Sequence, residues 1–520
     1  MPNAPTETKK VSLSAEETTS SFFDIEYLKA DLKGRSVRGG VVTMVAQGAI
    51  FFLRMGSTIV LARLLTPQDF GLIAMVTVIT GFVAMFKDMG LSMATIQKNK
   101  INHGQISTLF WINTAFGFAL ALLTIALAPA IAWFYDEPRL TRITVALAAA
   151  FILGGLTVQH QALLRRHMRF VRLGVIEVVG LLVGVATAIV AVWRGAGYWS
   201  LVFMQLAMAG TIAVGVWAAS GWRPGWHCRA SGVRSMLAFG RDITGFNIIN
   251  YFARNSDKIL VGRFCGSGVL GLYNKAYTLL MLPISQIRGP LTSVAVPALS
   301  RLQGDSKRYT SYYTKLILLL SFISMPLIVF LAICSRSIIH LLLGEQWLGA
   351  SRIFQILAIT AFIQPVWSTV GLVLLSLGQS GRFLRFGIFN SLVVVTSFAV
   401  GIRWGAIGVA SAYAVASYLI LFPSLWYCFR LTPISIATFV KAIVRPIIAS
   451  LTMASATLLA HHFLVEQPDI VLIAGCFLVS LSAYLLVWCL MPGGMQILRD
   501  FYGYVAIIFT KGRGCVETTS

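Results

Sequence analysis

The sequence predicts an all-α polytopic membrane protein of about fourteen transmembrane helices, and three observations carry that expectation. Of its 520 residues 57% are hydrophobic and only 12% charged, about half the roughly 25% of soluble domains. Apolar runs of about 20 residues, the length that crosses a bilayer as a helix, recur from end to end. The remaining charges punctuate those runs and are lopsided, 42 basic against 19 acidic. A nucleic-acid partner is excluded, because such binding needs Lys and Arg clustered on a polar fold.

Taken in order, residues 1–20 are rich in Ser, Thr and Glu and are expected to hold no fixed structure. Phe22, Ile25, Leu28 and Leu32 then fall at helical spacing, which suits an interfacial helix. Residues 1–38 carry six basic and six acidic residues, so the cytoplasmic tail is neutral rather than a polybasic anchor. No signal-peptide pattern precedes the first apolar run, and the first span is expected to stay. Spans at 41–65, 70–90, 108–130, 142–161, 173–192 and 199–219 form an N-terminal six-helix lobe, 39–222. Spans at 240–262, 270–295, 316–334, 353–375, 386–402 and 408–428 form a C-terminal lobe, 223–430. Two extra helices, 446–462 and 470–490, and a cytoplasmic tail complete 431–520.

The positive-inside rule tests this map. With the N-terminus cytoplasmic, inner segments hold 27 Lys and Arg, outer loops with the outer span ends 8, and seven lie deeper within spans. That bias places both termini inside. Trp133, Trp193, Trp199, Trp222, Trp226, Trp347 and Trp404 sit at span ends, as an aromatic belt requires.

An internal repeat at an offset of 200 pairs Arg54 with Arg254, Ile59 with Ile259, Arg63 with Arg263, Gly71 with Gly271 and Leu72 with Leu272. A second echo, at 210, sets Gly195 against Gly405 ahead of spans 6 and 12. Six spans per repeat is an even number, so the lobes enter the membrane in the same orientation around a central cavity.

The seven cations within spans are Arg54, Lys87, Arg241, Arg254, Lys258, Lys275 and Arg288. Each costs about 2.5–3.5 kcal/mol against lipid, so they face water, counter-ions or a ligand. Arg54 lies nine residues before Arg63, about 13 Å deep at 1.5 Å per residue. Arg254 holds the same place in the second repeat, and two guanidinium forks on opposite walls of one cavity suit a phosphate or pyrophosphate. Internal neutralisation is the other reading, with Asp257 one turn from Arg254. The acids within spans are Asp88, Glu177, Asp242 and Asp257, of which Asp88, Asp242 and Asp257 are candidates for counter-ion or coupling roles. The Lys87–Asp88 and Arg241–Asp242 neighbours also fit plain interfacial pairs. A cavity for organic cations would want the opposite charge balance. Pro283, Pro290 and Pro297 recur every seven residues along span 8, each removing a backbone donor, which marks either a hinge or a fixed kink.

Seven scattered cysteines, none in a C-x-x-C spacing, predict free thiols without disulfide or metal. No nucleophile elbow, Walker loop or zinc-protease motif is present, and no cofactor or enzymatic activity is expected.

Four segments carry a resemblance: LARLLTPQDFGL (61–72), KDMGLSMATIQ (87–97), YNKAYTLLMLPISQI (273–287) and VPALSRLQGDSKRYTSYY (296–313). From about residue 36 to 490 the chain resembles the polysaccharide-transporter branch of the multidrug/oligosaccharidyl-lipid/polysaccharide superfamily, the Wzx-type flippases of lipid-linked repeat units. The likeness is greatest to members serving exopolysaccharide or colanic-acid-type pathways. It implies a fourteen-helix protein of the bacterial inner membrane that moves an undecaprenyl-pyrophosphate-linked oligosaccharide to the periplasmic leaflet. It also implies a cationic lumen, here Arg54 and Arg254 by position, and alternating access coupled to an ion gradient. Polysaccharide polymerase and export machinery are the implied partners. A drug antiporter on the same fold predicts cavity carboxylates, and a membrane polymerase or transferase predicts a long polar outer loop; both features are missing. A non-transporting assembly scaffold stays open as a rival.

Overall fold

A computed structural model describes residues 32–87, 91–97, 101–226, 234–430, 432–499 and 503. The N-terminal tail, the stretch from Phe22 and Asp88 lie outside the described residues, as does the side chain of Asp242. Among the described residues the protein is all-α. Eleven helices are long and apolar enough to cross a membrane, and two of these stretches, Arg254–Arg301 and Ser380–Phe429, run to 48 and 50 residues. Each could hold two crossings of about 20 residues. The chain is a multi-pass membrane protein forming two compact units, Met1–Gly271 and Leu272–Ser520.

The first unit contains α1 (Leu32–Leu64), α2 (Pro67–Ala84), α3 (Leu91–Gln97), α4 (His103–Tyr135), α5 (Arg139–Arg166), α6 (Phe170–Trp193) and α7 (Trp199–Ser220). The front of α8 (Arg234–Arg301) completes it. Helix α4 packs along α5, α6 along α7 and α1 against α6. The TPQD sequence explains the turn from α1 to α2. Thr66 Oγ1 accepts from the Asp69 amide and Asp69 Oδ2 accepts from the Thr66 amide, a capping box with Pro67 in the first helical turn. Short α3 docks on α5 through buried Thr95, whose hydroxyl donates to Gln159 Oε1 at 3.0 Å and whose carbonyl accepts from Arg166 Nη1 at 2.9 Å.

Helix α8 departs from helical geometry at Gly266, with φ 80° and ψ 175°. A side chain rarely tolerates that φ, so glycine sets the break. Beyond it the helix runs through Pro283, Pro290 and Pro297 without a further non-helical residue. The 200-residue repeat reappears here as a reciprocal contact. A Cβ on Gly71 would overlap the Ser267 carbonyl, and one on Gly271 would overlap the Pro67 carbonyl, so positions 67/71 and 267/271 meet as a pseudo-two-fold pair. Burial repeats too: Leu61 and Val261, Ala62 and Gly262, Ser57 and Asp257 are buried, while Arg63 and Arg263 are exposed. The echo at 210 is also structural, since Gly195 and Gly405 both adopt positive φ.

The second unit follows α8 with α9 (Ser306–Ile333), α10 (Ser335–Leu343), α11 (Ala350–Trp367), α12 (Val370–Ser376), α13 (Ser380–Gly401), α14 (Gly405–Leu419), α15 (Leu421–Phe429), α16 (Ile436–Leu464) and α17 (Asp469–Leu490). The GDSKRY segment supplies the start of α9, where Asp305 accepts from the amides of Lys307 and Arg308. Buried Tyr309 bonds Ser376 Oγ at 2.6 Å, and buried Tyr313 bonds Thr369 Oγ1 at 3.1 Å. The terminal pair α16–α17 packs on α9 through Ala449, Met453, Tyr484 and Trp488, against Leu318 and Phe322. Tyr484 Oη donates to the Phe322 carbonyl, and His340 meets Asp469 at the start of α17. Trp133, Trp193, Trp226 and Trp404 are exposed as a belt requires, but Trp222 and Trp347 turn into the core.

Candidate functional site

Arg54 on α1 and Arg254 on the front half of α8 are both exposed. Neither guanidinium has a hydrogen-bond or ion-pair partner among the described residues. The residue one turn on is buried in each repeat, Ser57 at 7% exposure and Asp257 at 4%. Ser57 Oγ donates to the Arg54 carbonyl at 2.9 Å, a common way for a hydroxyl to satisfy itself in a membrane helix. Asp257 Oδ1 accepts from the Lys258 amide at 2.8 Å. Each repeat thus offers an outward cation above a buried polar group, a hydroxyl in one and a carboxylate in the other. Lys258 is half-buried beside Asp257.

In the second unit Lys275 is buried, at 8% exposure, and Arg288 is half-buried. Pro283 is half-buried, whereas Pro290 and Pro297 are exposed. Lys275 takes the register of Met75, which is itself buried at 1%, so the repeat rather than the charge fixes its inward direction.

A polar cluster in the first unit went unread in the sequence. His160 is fully buried; its Nδ1 lies 2.8 Å from Ser220 Oγ, and its Nε2 has no partner among the described residues. Phe110, Trp217 and Trp222 enclose the ring, with the Trp217 centroid 4.4 Å away. Gln159 and Arg166 extend the cluster to Thr95. The available signal was the polar QHQ inside an apolar run, 156–164. Intramembrane polar groups of this kind hold helices together when satisfied.

The profile of a family described as "Polysaccharide biosynthesis protein" matches residues 60–352, more than half of the chain. The chain belongs to this polysaccharide biosynthesis protein family. The match begins inside α1 and takes in all four of the resemblance segments whole. Over 395 residues the chain is 25% identical to the lipopolysaccharide biosynthesis protein WzxC of Escherichia coli, covering 75% of this chain and 80% of the relative. Over 442 residues it is 25% identical to the succinoglycan biosynthesis transport protein ExoT of Rhizobium meliloti, covering 83% and 88%. Among solved structures, the lipid II flippase MurJ in an inward closed conformation superposes with a TM-score of 0.70 at 13% identity, covering 89% of this chain and all of that one. That flippase shares this fold, and the Wzx-type resemblance stands.

Within the family match, the recognisable segments do structural work in this chain. TPQD caps α2, Thr95 docks α3, and GDSKRYTSYY starts α9 and pins it to α12. Arg54 lies just outside the matched residues and Arg254 inside them.

Proposed function

We propose that this protein flips undecaprenyl-pyrophosphate-linked oligosaccharide repeat units across the bacterial inner membrane for exopolysaccharide or lipopolysaccharide synthesis. One observation carries the reading: two exposed arginines with no side-chain partner among the described residues occupy equivalent positions on repeated membrane helices. Its context is membership of a polysaccharide biosynthesis family and likeness to a relative named as a succinoglycan biosynthesis transport protein. Facing lipid, the pair would cost about 5–7 kcal/mol at 2.5–3.5 kcal/mol each. A pyrophosphate removes that cost, because each fork grips a phosphate with parallel charge-assisted hydrogen bonds.

In this mechanism Arg54 and Arg254 hold the headgroup between two six-helix lobes, 39–222 and 223–430, of a fourteen-span protein. Lys258, Lys275 and Arg288 set the positive sign of the lumen, and Asp257, Asp242 and Asp88 serve as counter-ions or coupling groups. Alternating access is driven by an ion gradient, with the prolines of α8 as the hinge. Both termini are cytoplasmic, on the 27-to-8 distribution of Lys and Arg. No chemical step on the sugar is required, so the protein is a transporter and not an enzyme, handing its cargo to a polymerase and export machinery.

The test is leaflet accessibility of the lipid-linked oligosaccharide to a periplasmic glycan-modifying probe in deletion cells. Cytoplasmic accumulation rescued by wild type but not by Arg54→Ala is expected. Normal leaflet distribution with polymer still missing would instead favour an assembly scaffold.

A further inference from the structure

The second unit contains a cavity of about 630 Å³ between α9, α16 and the segment after α17. Leu318, Val444 and Ile497 give it an apolar lining, while Lys441 and Arg445 stand one turn apart on α16 and Thr438 begins that wall. Both cations are exposed, and neither has an ion-pair partner among the described residues. Among the described residues no acidic side chain lines the space. At 1.5 Å per residue the two cations lie about 6 Å apart along the axis, and the apolar body of α16 follows directly, so they sit at headgroup level.

Those features select a ligand. A free phosphate or nucleotide would leave the apolar lining without a partner, and a zwitterionic headgroup would bring an ammonium towards two cations with no carboxylate among the described lining residues to receive it. An amphiphile with an anionic head satisfies both surfaces. We infer that this cavity binds one anionic phospholipid, its phosphate on Lys441 and Arg445 and an acyl chain against Leu318, Val444 and Ile497. The lipid then fills the gap between α9 and the terminal helix pair at one end, while Tyr484, Trp488 and the His340–Asp469 contact fasten the same pair elsewhere.

Native mass spectrometry of the delipidated full-length protein, titrated with phosphatidylglycerol or phosphatidylcholine, tests this. Near-surface cations attract anionic lipid by about 1 kcal/mol each, so the Lys441→Ala/Arg445→Ala variant should bind phosphatidylglycerol about 30-fold more weakly. Lys441→Arg/Arg445→Lys should retain binding, as should Lys315→Ala, which removes an exposed cation outside the cavity. Val444→Trp keeps both charges and should block binding by filling the space. Equal affinity for the two lipids, unchanged binding by the double alanine or the tryptophan variant, or displacement by undecaprenyl phosphate at tenfold higher affinity would each overturn the assignment.

Discussion

The carbonyl of Ser267 occupies the space a side chain on Gly71 would need, and Pro67 does the same to Gly271, the residue 200 positions on. Gly71→Ala and Gly271→Ala should each destabilise the protein by about 1–3 kcal/mol, the usual range for overpacking. Gly56 has nothing within 4 Å of the same methyl, so Gly56→Ala should be neutral or stabilising by up to about 1 kcal/mol. Thermal unfolding of the purified variants checks the contrast, and equal melting for all three would remove the reciprocal contact from the account.

Arg54→Ala and Arg254→Ala should abolish polymer export at unchanged protein level. Lysine at either site keeps the charge but loses the fork, and should retain only part of the activity. Export at wild-type level by the double alanine variant would discard the anion site.

Glu137, in the α4–α5 loop, accepts two hydrogen bonds of 2.8 Å from Arg139, and that pairing holds its carboxyl below the ordinary value of 4.5. The folded value is the lower one, so the stabilisation is complete above the ordinary value and disappears as pH falls through the lowered one. The pair is partly exposed and contributes under about 1 kcal/mol. Glu137→Gln should therefore flatten a small acid-side decline in melting temperature and leave neutral stability nearly unchanged.

Ser220→Ala removes the hydroxyl beside His160 Nδ1 and leaves neither ring nitrogen with a side-chain partner among the described residues. A loss of about 1–3 kcal/mol is expected, measured by denaturation in detergent. Ser220→Thr, which keeps the hydroxyl, should recover most of it.

Pro290→Ala restores a backbone donor to α8. If this residue contributes the hinge, transport in vesicles slows while the folded population stays constant. Unchanged kinetics would leave Pro290 a fixed feature of the helix.

Much of this architecture was legible because its causes are local and periodic. Apolar length gave the helices, TPQD and GDSK announced caps, and the 200-residue echo survived as matching burial. The break in α8 was harder to read. Proline is the obvious interruption in a sequence, yet Pro283, Pro290 and Pro297 each remove only one donor, whereas Gly266 takes a φ that other residues avoid. Tryptophan position was likewise ambiguous, since a residue at a span end faces either headgroups or a neighbouring helix; Trp222 and Trp347 chose the second. His160 was invisible for a third reason. Its partner Ser220, and the Thr95 that bonds the neighbouring Gln159, lie some 60 residues away in sequence, and no short motif records a contact between helices.

Ser57 and Asp257 occupy one and the same place in a duplicated backbone, yet only one of them carries charge. Duplication by itself would have produced two interchangeable halves. The substitution at this register makes the halves electrically distinct while their packing stays alike. Exchanging the two residues would preserve composition, formal charge and nearly the same volume, moving the carboxylate from one half to the other. Directionality in a twofold scaffold must come from such broken equivalences.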